Sequence, residues 1–93
     1  MRLDLFLKAS RLIVRRSLAQ EFCDAGMVKV NGKTAKSSKE VQQNDEIEIA
    51  RPNRQIKVKV LEVPEKKQVS KSEAAELYQV VSEKVVDDGI LDY

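Results

Sequence analysis

The stretch RLDLFLKASRLIVRRSLAQEFCDAGMVKVNG, residues 2–32, decides the fold. Leu3, Phe6 and Leu7 stand at i, i+3 and i+4, so residues 2–9 read as a helix with one apolar face. A second helix is predicted over residues 16–25, with Leu18, Ala19, Phe22 and Cys23 on its inner face. Gly26 closes it, because a residue without Cβ enters the left-handed region without strain. Residues 10–14 connect the two, with Leu12, Ile13 and Val14 expected beneath them. Met27 to Val30 then alternates into Asn31-Gly32, and a short polar run follows. Asn-Gly between two such runs predicts a hairpin with a type I′ turn.

Outward from this stretch, residues 37–44 form a polar connector with one apolar anchor, Val41. Residues 46–49 alternate as a strand, residues 51–54 turn, and residues 55–63 alternate again with Ile56, Val58 and Val60 in one phase. A phase shift near Leu61 marks a strand end or bulge. Residues 65–68 read as a charged linker. Ser70 and Glu73 fit a capping box, and Ala74, Leu77, Tyr78, Val81 and Val85 follow at helical spacing. The expected architecture is α+β: two N-terminal helices on a small, mostly antiparallel sheet, plus one C-terminal amphipathic helix. The expected divisions are a domain over 1–64, a linker and helix over 65–86, and an acidic tail over 87–93.

With 93 residues, two Phe, two Tyr and no Trp, the chain is one small domain with an aliphatic core. The lone Cys23 and the absence of His argue against an internal disulfide and against a zinc or other metal site. Without His or a spaced pair of carboxylates, no catalytic residue and no cofactor are predicted. No signal-like segment or long apolar run is present, which predicts a cytoplasmic protein with no membrane partner; a monomer is expected.

Charge is unevenly placed. Residues 1–39 hold nine Lys or Arg against three acids, a balance of +6, whereas residues 40–93 hold eight against twelve, a balance of −4. A cationic front of this kind is the footprint of a polyanion binder. Arg15, Arg16 and Ser17 fall at the start of the second helix, where free N–H groups and the dipole favour phosphate. Arg2, Lys8 and Arg11 add charge nearby. Lys29, Lys33 and Lys36 lie on the hairpin, with Asn31 as a polar contact. Asp4 and Lys8 stand at i, i+4, and the sequence favours a solvated surface contact between them over a reading in which Asp4 orients a neighbouring Arg. With no exposed aromatic platform, shape-selective contact with structured RNA fits better than base stacking.

Several motifs occur in order: Arg2-Leu3-Asp4, Arg16-Ser17-x-Ala19, Gly26-x-Val28-x-Val30-Asn31-Gly32, then Val41 and Asp45-Glu46-Ile47. Over residues 1–50 they resemble the ribosomal-protein-S-four-type RNA-binding domain, the αL motif. The segment from Arg11 to Ala19 and the later Glu73-Ala74-Ala75-x-x-Tyr78 are similar to the short factor-P type of bacterial ribosome-associated quality control. That resemblance implies binding to large ribosomal subunits obstructed by peptidyl-tRNA, with ribosomal RNA and tRNA both contacted. It also implies support for C-terminal alanine tailing by a partner protein that recruits alanyl-tRNA. On it, Arg2, Arg15, Arg16 and Ser17 fall on the RNA face and Asp4 on the pattern's acid. Two positions depart from the pattern: Arg15 replaces the usual Ser at the helix N-cap, and Asn44 replaces the Gly before Asp45.

Two other readings compete. One is a heat-shock-protein-fifteen-type rescue factor for free large subunits carrying nascent chains, whose relatives end in a basic extension where this chain ends acidic. The other is a protein-interaction module that works through the acidic C-terminal helix.

Overall fold

The computed structural model describes residues 1–65 and 69–85. Its elements are α1 (Leu3–Ala9), α2 (Arg16–Asp24), β1 (Val28–Val30), β2 (Lys33–Thr34), β3 (Glu46–Arg51), β4 (Arg54–Val60), α3 (Lys71–Ala74) and β5 (Tyr78–Val85). The five strands form one antiparallel sheet in the order β2-β1-β3-β4-β5.

Alternation sets the sheet's two faces. Val28, Val30, Ile47, Ile49, Val58 and Val60 all point inward and are buried with Leu3, Phe6 and Leu7 of α1 and Ala19 and Cys23 of α2. The opposite face carries Lys29, Glu48 and Lys57 in register across β1, β3 and β4. Asn31 and Gly32 both take positive φ, 52° and 84°, as a type I′ turn requires, and Val30 faces Lys33 across it. Asn44, with φ 74°, takes the left-handed conformation expected at its turn. At the end of α2, Gly26 sits at φ 76°, with its N–H on the Cys23 carbonyl and that of Met27 on the Phe22 carbonyl. This is a Schellman motif.

Two expectations need correction. The C-terminal helix is one turn long, Lys71–Ala74, and does not run on to about Val85 as the apolar spacing suggested. Its capping box is formed, with Ser70 Oγ accepting from the Glu73 N–H and the Glu73 carboxylate accepting from the Ser70 N–H. From Tyr78 the chain is a strand on the open edge of β4, with a register shift opposite Lys57 and Val58. Val80, Val81 and Val85 are β-branched and β4 needed a partner, so sheet pairing overrides the helical spacing. The interaction-module reading thereby loses its helix. Second, Val14 is 66% exposed and Leu18 is also exposed; of Leu12, Ile13 and Val14 in the connector, Ile13 alone is fully buried. The predicted acidic tail over 87–93 and most of the predicted linker lie outside the described residues.

Candidate nucleic-acid interface

The two helices differ in how their N-termini are closed. At α1, the Leu3 and Asp4 N–H groups donate to the Lys39 and Ser37 carbonyls at 2.7 and 3.1 Å, and the Leu5 N–H donates to Asp4 Oδ1 at 2.8 Å. That end is satisfied within the protein. At α2, the N-cap is Arg15 in an extended conformation, and no side chain caps the helix. The first N–H groups, those of Arg16, Ser17 and Leu18, therefore have no side-chain cap at the positive end of the dipole. Arg15, Arg16 and Ser17 are all exposed beside them.

Asp4 ties the N-terminal segment to α2. It is 0% exposed, yet it is charged and fully partnered. Arg2 Nε and Nη2 each donate to it at 3.3 Å, Arg16 Nε at 3.3 Å and Gln20 Nε2 at 2.9 Å. Burial alone would raise the pKa of this carboxyl. The hydrogen bonds from Gln20, Arg16 and the Leu5 N–H, with the charge of Arg2, outweigh burial and hold it below the ordinary carboxylate value. Arg2 and Arg16 thus meet on one buried anion while each side chain stays 43% exposed. The reading in which Asp4 orients an arginine describes this site. Lys8 is exposed and makes no ion pair with Asp4 among the described residues.

The remaining predicted residues spread over more than one surface. Arg11 is exposed just past α1, where it takes φ 61°. Lys33 and Lys36 line a shallow depression of about 610 Å³ together with Lys39 and Asn31. By strand parity Lys33 lies on the helix side of the sheet, as Val30 does, whereas Lys29 lies on the outer face opposite Glu48. Asn31 is held within the protein: its Oδ1 accepts from the Glu46 N–H at 3.0 Å and its Nδ2 donates to Asp45 at 3.1 Å.

Two residues were not picked out from the sequence. Gln20, four positions after Arg16 and on the same helix face, completes the shell of Asp4. Arg51, at the end of β3, donates from Nη2 to the Leu12 carbonyl at 2.9 Å and lies 5.6 Å from the Phe22 ring centroid. It staples the α1–α2 connector to the sheet. Only the i, i+4 spacing of Arg16 and Gln20 signalled the first; nothing local signalled the second. Cys23 is buried, and burial together with the charges of Asp4 and Asp24 pushes its thiol up to about 11. Among the described residues no group of acids, His or Cys is arranged to hold a metal, and no helix is long and apolar enough to cross a membrane.

Residues 1–47 match the S4 domain family. The chain is 46% identical to an RQC P-site tRNA stabilizing factor of Streptococcus pneumoniae, over 97% of this chain and all of that protein. It is 43% identical to the Bacillus subtilis protein of the same name, over 89% of this chain and 94% of that one. Among solved structures, Heat Shock Protein 15 of Vibrio cholerae, a trimeric structure, superposes with a TM-score of 0.79 and 29% identity, covering 88% of this chain and 82% of that one. The solution structure of the hypothetical protein HP1423 gives 0.77 and 33%, covering 88% and 98%. From the matched domain and from identities sustained over nearly its whole length, the chain belongs to the S4 domain family and, within it, to the RQC P-site tRNA stabilizing factors.

Proposed function

We propose that this chain is a non-enzymatic, cytoplasmic, monomeric RNA-binding factor of ribosome-associated quality control. It binds large subunits obstructed by peptidyl-tRNA, contacts ribosomal RNA and tRNA together, and supports alanine tailing of the stalled chain by a partner protein. Residues 1–64 do the binding through Arg2, Lys8, Arg11, Arg15, Arg16 and Ser17, with Lys33 and Lys36 following a neighbouring stretch of backbone. The observation that carries this reading is the pair of guanidinium groups on Asp4 beside the uncapped start of α2. Planar forks and free N–H groups are what phosphate oxygens need. The relatives' name, which specifies a P-site tRNA, supports the choice of RNA.

Sedimentation of the tagged protein through a sucrose gradient tests the proposal. It is expected in the large-subunit fraction together with tRNA; recovery only at the top of the gradient would overturn the reading. The likeness to Heat Shock Protein 15 favours a second reading, rescue of free large subunits carrying nascent chains. Loss of alanine-tailed chains on deletion of the gene supports the first; tails that persist support the second.

A further inference from the structure

We infer that Asp4 is a positioning residue: it offers no surface to RNA but locks Arg2 and Arg16 into one preformed guanidinium pair whose outer edges grip phosphate. The inference rests on the RNA-binding reading above. Five donor contacts converge on this one carboxylate. The Leu5 N–H and Arg2 Nε reach Oδ1; Arg2 Nη2, Arg16 Nε and Gln20 Nε2 reach Oδ2. Arg16 uses only its Nε, so both terminal nitrogens are left without a partner among the described residues, on a side chain that is 43% exposed. A side chain this long normally loses much freedom when it binds, and ordering it beforehand removes that loss from the binding step.

Charge and position predict opposite signs for one substitution. Asp4→Asn deletes a negative charge beneath a cationic surface, so electrostatics alone would tighten RNA binding. Positioning predicts weaker binding, because the amide cannot hold two guanidinium groups.

The test uses the full chain and a tRNA transcript, with melting curves to establish folding. Asp4→Asn is expected to weaken binding by about tenfold, and to weaken it no more than about twofold further when added to a protein that already carries both Arg2→Ala and Arg16→Ala. Unchanged or tighter binding, or losses that multiply, would overturn the inference. Gln20→Ala keeps the net charge and loosens the same carboxylate, so it serves if Asp4→Asn does not fold; unchanged affinity in it would overturn the inference too. The Arg16 Nε–H resonance of the free protein needs no RNA. A sharp, slowly exchanging signal that vanishes in Asp4→Asn, or in Gln20→Ala, supports the clamp, and a signal identical to wild type overturns it. If wild-type protein fails to bind tRNA while that signal behaves as expected, the RNA reading fails and the clamp stands.

Discussion

Asp4 carries the chemistry of the site at the scale of one residue, and its role was only half legible. The sequence offered it two partners, Lys8 at i, i+4 and an unspecified arginine. The choice depended on a packing of α1 against α2 that brings in residues 12 and 16 positions away. No local period encodes such a contact. A buried carboxylate with a depressed pKa contributes stability that is complete above the unfolded value, about 3.9, and is lost as pH falls through the lower folded value. Of the other groups near it, Gln20 does not titrate and burial keeps the Cys23 thiol protonated throughout that range. The melting-temperature advantage of wild type over Asp4→Asn should therefore shrink below about pH 4. A gap that stays constant down to about pH 2 would show that the charge of Asp4 contributes nothing to folding.

At the scale of elements, the hairpin, both N-terminal helices and the Gly26 cap were readable because each is signalled locally. A turn dipeptide, a 3.6-residue period and a residue without Cβ need no knowledge of the rest of the chain. β5 was not readable as a strand. Its apolar residues fit a helical period, its capping box is real, and only the open edge of β4 decides the outcome. The end of α1 differs from that of α2 in one telling respect. Arg11 occupies the left-handed C′ position that Gly26 occupies in α2, with its N–H on the Lys8 carbonyl. A non-glycine residue there costs about 1–2 kcal/mol, and glycine returns part of that by loosening the unfolded chain, by about 0.5–1 kcal/mol. Arg11→Gly should thus raise stability by about 0.5–1 kcal/mol in denaturant melts while weakening RNA binding. A variant that gains stability and loses no affinity would remove Arg11 from the interface.

For the molecule as a whole, the sequence showed a charge gradient along the chain but not the surface it would form. The fold gathers Arg2 and Arg16 on one anion, leaves Arg15 and Arg16 at an uncapped helix start, and sends Lys29 to the outer sheet face among Glu46, Glu48, Lys57 and Lys59. On that face Lys57 is paired with Glu46 at 3.1 Å, so its charges are mixed and partly neutralised. Lys59 stands opposite Glu46 in the β3–β4 register and serves as a charge-matched control for Arg16. If five to seven basic residues meet phosphate, the slope of log K against log salt should be on the order of −4 to −6 for the wild type. The decisive measurement is tRNA affinity across a salt series for wild type, Arg16→Ala and Lys59→Ala. Arg16→Ala should lose about tenfold to a hundredfold in affinity and about one unit of slope, with Lys59→Ala within about twofold of wild type. Equal losses from the two substitutions, or none from Arg16→Ala in a protein that melts normally, would contradict an arginine grip at the start of α2.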